Sequence, residues 1–277
     1  MRKVELVKGI HSSVLGFGCA PILGSKDCKI STRAIEIALD NGINHFDLAR
    51  SYGYGEAEEF VGKLIKSKRN SLVITSKFGI QANWKALLIR PLKPILRNLV
   101  KPNNKTQLEN TKREKKSIAD FFHERLEINS KNMKYSLEIS LKALQTDHLD
   151  YLLIHEPIAT IHNIDELFET VNRFKEEGKI KAFGLSSTLD QIHFHENYLN
   201  HFDLLQFNNS QEDLPYSNIK KSRGMKSNII FSPLNGGSKH VTPDSKFKQL
   251  FNDFPRSVIL CSMFNEKHLL ENIKSAL

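Results

Sequence analysis

Asp47, Tyr52, Lys77 and His155 each stand at or just beyond the end of a short apolar run, and as a set they could manage a proton at a carbonyl oxygen. A hydride arriving at a carbonyl carbon leaves negative charge on the oxygen, so a group nearby has to donate a proton. A tyrosine can do so, but its phenol has an ordinary pKa of about 10 and is a better acid when a cation stabilises the phenolate. Lys77 has the charge for that role. Burial would tend to discharge the lysine, and an ion pair with Asp47 would hold it protonated. His155 completes the set as a group able to orient the carbonyl oxygen.

Each residue alone has a commoner structural use. An Asp after a strand often caps the next segment, a Tyr between glycines often packs, a Lys often snorkels, and a buried His is often a satisfied core residue. The combination carries the chemical reading.

The runs that would position these residues are Asn44 to Ala49, Leu72 to Lys77 and Leu149 to His155, continuous enough to be strands buried on both faces. Five more runs follow the same form: GFGCAPI near the N-terminus, then IKAFGLS, DLLQFN, NIIFSP and SVILCSM, with helical patterns between them. Strands alternating with helices predict βαβ units and a parallel sheet, and 277 residues suffice for one (β/α)8 TIM barrel over 1–277. The spacing predicts a helix from Ser31 to Asn41, with Ala34, Ile35, Ala38 and Leu39 on one face and Gly42 as its stop. Ala57, Phe60, Val61, Leu64 and Ile65 predict another. GFGCAP lacks the third glycine and the immediate helix of a dinucleotide-binding turn, so a Rossmann fold is a weak reading.

Three segments carry a resemblance to a known family. Gly42 to Ile65, GINHFDLARSYGYGEAEEFVGKLI, resembles the G-x-x-x-F-D-T-A-x-x-Y-G…E…L-G segment of the aldo-keto reductase family; VITSKFG and SLKALQTDHLDYLLIHEP resemble the strands that carry its Lys and His. The resemblance implies a barrel oxidoreductase with Asp47, Tyr52, Lys77 and His155 as its catalytic residues and no metal. It runs from about Leu15 onward and becomes looser toward the C-terminus.

The same resemblance implies a nicotinamide cofactor lying across the barrel mouth. Gly18 falls where the family's backbone passes close to the cofactor. Ser186, Ser187 and Gln206 fall on its carboxamide-binding positions, with Ser187 in place of an Asn. Phe231 stands where a Tyr commonly stacks, and a Phe face stacks as well; Ser232 and Leu234 continue that segment. Ser262, Met263, His268, Glu271 and Asn272 fall on the adenosine side, where Ser262 and His268 replace a Lys and an Arg that commonly grip the 2'-phosphate. NADPH is the implied cofactor, with NADH the alternative. Asn265 is placed to cap the last helix, whose packed face would present Leu269, Leu270 and Ile273.

Between Lys77 and the helix preceding the fourth strand lies a long basic insertion, 81–129, predicted to be lid-like. Lys85, Arg90, Lys93, Arg97, Lys101 and Lys105 occur with no acid among them, and eight of the nine net positive charges fall within 82–116. Trp84, Leu87, Leu88, Leu92, Ile95, Leu96, Leu99 and Val100 recur at helical spacing, interrupted by Pro91 and Pro94. Three readings stand: a lid packed on the barrel, a positive field that attracts an anionic substrate, and a basic amphipathic helix on an anionic membrane. Nucleic acid is not expected, because the segment has one Trp and no binding motif.

Cys19, Cys28 and Cys261 match neither a redox pair nor a zinc spacing, the N-terminal residues lack an apolar signal-peptide core, and no apolar run approaches membrane-spanning length. A cytoplasmic location is expected. The sequence ends soon after the last predicted helix, without the long C-terminal loop that lines the substrate pocket in many members of the family. The expected function is NAD(P)-dependent hydride transfer between nicotinamide and a carbonyl of aldehyde, ketone or sugar type, with Tyr52 as general acid. The alternative is a nucleotide-binding barrel with a regulatory or tethering role through the insertion, bound to a membrane surface or partner. Composition leaves the oligomeric state open.

Overall fold

Strands that are apolar on both faces must be covered on both faces, and in the computed structural model eight of them close into a parallel barrel. The structure describes residues 1–90, 121–211, 213–238 and 240–277. The barrel strands are β3 (Leu15–Gly18), β4 (His45–Asp47), β5 (Val73–Phe78), β8 (Leu149–His155), β9 (Ile180–Ser186), β10 (Leu204–Asn208), β11 (Asn228–Phe231) and β12 (Ser257–Cys261). They pair in chain order, and β12 closes on β3 through Ile259↔Leu15 and Cys261↔Phe17. All eight predicted runs contain a strand; β8 and β9 coincide with their runs, while β3, β4, β11 and β12 end before theirs do.

β8 shows how such a run is used. Tyr151 and Leu153 point into the barrel, Leu152 and Ile154 point to the surrounding helices, and every residue of the strand is buried. The interior cluster includes Leu6 and Ile10 from a hairpin of β1 (Lys3–Val7) and β2 (Ile10–Ser13), which contact Val73, Leu204 and Val258 near the strands' N-terminal ends. The hairpin plugs that end of the barrel, and its sequence was not read as an element. The opposite end is left for side chains at the strand C-termini.

The surrounding helices are α1 (Cys28–Asp40), α2 (Ala57–Ile65), α4 (Ser130–Leu144), α5 (Ile164–Glu176), α6 (Leu214–Arg223), α7 (Pro243–Asp253) and α8 (Glu266–Ser275); a short α3 (Trp84–Ile89) precedes α4. α1 begins three residues before its predicted start, because Asp27 caps it by accepting from the Ile30 N–H; Ser31, the expected first residue, is buried inside the helix. Gly42, at φ +82°, ends that helix as expected. Asn265 does cap α8, while Leu270, expected on the packed face, is exposed. Gly62 lets α2 approach α4: a Cβ there would stand 2.7 Å from Leu144 Cα. Among the described residues no helix is long and apolar enough to cross a membrane.

Of the segment 81–129, expected to be an inserted lid, 91–120 lie outside the described residues. Its two ends are zipped together: β6 (Ile80–Ala82) pairs antiparallel with β7 (His123–Arg125), Ile80 opposite Arg125 and Ala82 opposite His123. On α3 only Ala86 is buried, whereas Trp84, Leu87 and Leu88 are exposed.

The barrel interior also holds a titratable group that makes folding sensitive to acid. His45 is fully buried, with its ring nitrogens 3.2 Å from Ser12 Oγ and 3.0 Å from Thr75 Oγ1. Burial lowers its pKa from 6.5 to about 4. Between these values the unfolded chain takes up a proton that the folded chain refuses, so stability is full above pH 6.5 and falls as the pH drops. Acidification from pH 6.5 to about 4 should cost about 3 kcal/mol through this histidine. Urea unfolding followed across that range should show the loss, and His45→Gln should flatten it; an unchanged slope in the variant would assign the acid sensitivity elsewhere.

Candidate active site

Neighbouring parallel strands end at the same height, which brings together residues that are distant in sequence. β4 lies beside β5 with Asp47 opposite Thr75, and β5 lies beside β8 with Lys77 opposite Leu153. The Lys77 ammonium, 1% exposed, donates to the Asp47 carboxylate, to the Leu48 carbonyl at 2.9 Å and to the Tyr52 phenol oxygen at 3.3 Å. Tyr52 opens a tight turn, Tyr52–Gly55, in which Gly53, Tyr54 and Gly55 all take positive φ; two of these three are glycines, as the geometry favours. His155, the last residue of β8, meets the Tyr52 ring edge-on at 6.0 Å between centroids.

The electrostatics follow from burial and this one ion pair. Burial alone would discharge Lys77, but the Asp47 carboxylate and the Tyr52 oxygen outweigh it and hold the lysine pKa above its ordinary value. Burial pushes the Tyr52 phenol up to about 12, opposed by Lys77. Tyr52 is therefore a protonated donor at neutral pH, with a cation waiting beside its oxygen. Burial, with help from Lys77, keeps the His155 imidazole well below its ordinary value and hence neutral, and its Nδ1 has no hydrogen-bond partner among the described residues.

Behind the turn a second buried carboxylate ties the pieces together. Glu58 of α2, 1% exposed, accepts from Ser76 Oγ at 2.6 Å and from Arg50 Nη1 at 2.6 Å. Ser76 precedes Lys77, and Arg50 lies between Asp47 and Tyr52. One side chain thus fixes both segments.

Asp47, Tyr52 and His155 share a cavity of about 320 Å³ with Gly18, Ser186, Gln206, Phe231, Ser232, Leu234 and Ser262. Lys77 stands behind this wall. Ser186 Oγ donates to Gln206 Oε1 at 2.6 Å, and Gln206 Nε2 donates to Asp47 Oδ2 at 2.6 Å. The residues present fit a nicotinamide: Phe231 offers a flat apolar face, Ser186 and Gln206 offer the hydroxyl and amide a carboxamide needs, and Gly18 keeps the wall open. An added Cβ at Gly18 would stand 3.1 Å from Ser262 Oγ.

The other residues expected to bind cofactor do not line this cavity. Ser187 is buried, with its N–H on the Gln206 carbonyl at 2.9 Å. The Met263 side chain is in the core, so only its backbone could serve a ligand. His268, Glu271 and Asn272 lie on α8, where Asn272 Nδ2 reaches Cys261 Sγ at 3.5 Å and Cys261 lines the cavity.

Sequence reasoning missed Glu156, Pro233, Asn235 and Cys261 on the cavity wall. It also missed a second cavity of about 440 Å³, lined by Ser51, Tyr52, Ile80, His123, Glu124, Arg125, His155 and Glu156, on the far side of Tyr52 and His155. Glu156 and Ser232 take positive φ, 44° and 52°, a strain that gathers at functional sites but leaves no mark in residue type.

The sequence profile described as "Aldo/keto reductase family" matches residues 15–196. "Aldo-keto reductase YhdN" of Bacillus subtilis (strain 168) is 31% identical over 185 residues, which make up 65% of this chain and 44% of that protein. "D-threo-aldose 1-dehydrogenase" of Pseudomonas sp is 24% identical over 189 residues, 65% of this chain and 51% of that protein. The matches thus span about half the length of these curated relatives. Among solved structures, the holo form of aldo-keto reductase AKR11C1 from Bacillus halodurans superposes with a TM-score of 0.71 at 21% identity, over 99% of this chain and 90% of that one. An aldo/keto reductase from Brucella melitensis gives 0.64 at 20% identity, over 99% and 93%. At these identities the structural likeness speaks for the fold.

The Glu58 ion pair should be a measurable support. Glu58→Gln leaves the Arg50 guanidinium, 13% exposed, without its carboxylate and should lower stability by about 3 kcal/mol in urea unfolding. Adding Arg50→Met should restore a large part of the loss, since neither charge then remains buried alone; no restoration would show that the pair's packing rather than its charge matters.

Proposed function

The chain belongs to the aldo/keto reductase family, and we propose that it is a nicotinamide-dependent oxidoreductase acting on a carbonyl or the corresponding alcohol. The observation that carries this reading is the Lys77 ammonium, held charged by Asp47, 3.3 Å from the Tyr52 oxygen at a wall shared by two cavities. A bound nicotinamide nucleotide supplies or accepts the hydride. The groups that fit it line the cavity of Gly18, Ser186, Gln206 and Phe231, leaving the second cavity for the substrate.

In the reducing direction Tyr52 donates its proton to the oxygen as charge develops there. The phenol, pushed up to about 12, would be a poor acid alone, but the phenolate it leaves stands beside the Lys77 cation. Asp47 keeps that cation in place, and Gln206 holds the second Asp47 oxygen. The neutral His155 ring has one N–H with which to orient the carbonyl. In the oxidising direction the same groups withdraw the alcohol proton. A relative named for aldose dehydrogenation makes sugar oxidation one form this chemistry could take. NADPH is the proposed cofactor and NADH the alternative, because Ser262 and His268 offer the 2'-phosphate weaker partners than a Lys and an Arg. Ser187, Met263, Glu271 and Asn272 are proposed to complete the nucleotide site from β9 and from the β12–α8 segment.

A second reading places the barrel on a membrane. It is supported by the exposed Trp84, Leu87 and Leu88 of α3 and by the basic residues that follow in sequence. Sedimentation with vesicles containing about a third phosphatidylserine should carry the protein down at low salt and release it at high salt; recovery entirely in the supernatant would remove this reading.

Tyr52→Phe should lower kcat for hydride transfer by about 10²- to 10⁴-fold while dinucleotide affinity stays within about threefold. Fluorescence titration with NADPH and NADH, alongside turnover with a panel of aldehydes, checks both parts. Activity within about tenfold of the parent would remove Tyr52 from the acid role.

A further inference from the structure

The cavity on the far side of Tyr52 and His155 is walled by β7, and β7 is tied to the chain at both reacting groups. His123 Nε2 donates to the Ser51 carbonyl at 3.1 Å, immediately before Tyr52. Arg125 Nη1 donates to the Glu156 carbonyl at 2.6 Å, immediately after His155. The strand therefore straddles the position where a carbonyl would sit between the phenol and the imidazole. Residues 123 and 125 share one face of the strand. Glu124, between them, is tied across the ladder to Gln81.

Arg125 is exposed to this cavity and to a neighbouring one of about 300 Å³ that also reaches His155. Among the described residues its one hydrogen bond engages a single N–H of a guanidinium that has five. Among the described residues no carboxylate stands in ion-pair contact with it, and Glu156 offers its backbone carbonyl to the guanidinium. A cation so placed, with donors to spare in a planar fork, matches a carboxylate. Glu124, held by the Gln81 amide, and Glu156 also line the cavity, and their charges disfavour a dianion such as a phosphate monoester beside Arg125.

We propose that Arg125 is the specificity-determining residue of the substrate cavity and that the substrate is a carbonyl compound, or its alcohol, bearing a carboxylate. The identification rests on the oxidoreductase reading for its reactive end, while the carboxylate site itself stands on Arg125. The same placement lets Arg125, after burial and Lys77, help hold the His155 pKa below its ordinary value.

The test compares probes that differ in charge and little else. With the full chain and both dinucleotides, turnover of 4-carboxybenzaldehyde is measured against methyl 4-formylbenzoate. Binding of 4-(hydroxymethyl)benzoate is measured against its methyl ester by calorimetry, with and without dinucleotide. The parent protein should favour the carboxylate in both assays by about tenfold or more. Arg125→Gln should bring the ratio between carboxylate and ester to about one in both assays, and Arg125→Lys should restore part of it. A residue that only clamped the Glu156 carbonyl would change both members of each pair alike, and that outcome, or equal binding of the two probes by the parent, overturns the proposal. Failure of either aldehyde to turn over, with carboxylate binding still dependent on Arg125, would sustain the anion site and sink the oxidoreductase reading. Turnover of both without charge preference would do the reverse.

Discussion

A lysine ammonium that is 1% exposed is the constraint around which the mouth of this barrel is arranged. Burying such an ion costs several kcal/mol, and only an opposite charge with further hydrogen bonds offsets that cost. Lys77 finds the Asp47 carboxylate, the Leu48 carbonyl and the Tyr52 oxygen, and Asp47 is satisfied in turn by the Gln206 amide. Lys77 lies on β5, and the partners come from β4, β10 and the segment after β4. Displacing any of these strands by one residue would turn a side chain of the set to the other face and leave a charge alone in a low-dielectric interior.

A parallel barrel suits this constraint because all its strands end on one side. The hairpin of β1 and β2 closes the other end with Leu6 and Ile10, and below the mouth the interior is apolar apart from polar groups such as His45 with its Ser12 and Thr75 partners. Outside the barrel, Glu58 carries the same logic one layer back. A carboxylate on α2, held by Ser76 and Arg50, fixes the strand that bears Lys77 and the turn that bears Tyr52. The contact between α2 and α4 at Gly62 seats that helix where Glu58 can reach. Positioning of the reactive set is thus distributed over packing that has no chemistry of its own.

Much of this was legible in the residues. The eight strands announce themselves as continuous apolar runs, because a strand buried on both faces has no polar side to interrupt it. Gly42 and Asn265 act as their types suggest. Asp27 and Ser31 are both residue types that start helices, and only the path of the chain before the helix separates them. Leu270 has the residue type of the packed face of α8 yet is exposed. The first hairpin went unread: in Lys3–Val7 charged and apolar residues alternate over too few positions to stand out, and Leu6 and Ile10 matter only because the barrel has an open end to fill.

By itself the sequence determined that Asp47, Tyr52, Lys77 and His155 terminate strands or follow them, that the strands belong to one parallel barrel, and that most of the positive charge is gathered between the third and fourth of them. Only the tertiary structure decided that Lys77 is buried and paired, that Gln206 and Ser186 form a hydrogen-bonded wall leading to Asp47, and that Arg125 faces the far side of Tyr52 and His155. The reason is the range over which each is settled. Strand identity depends on which faces a short run must hide, and a few residues record it. Protonation, partner choice and cavity walls depend on what approaches from positions 20 to 159 residues away, and no local pattern encodes that approach.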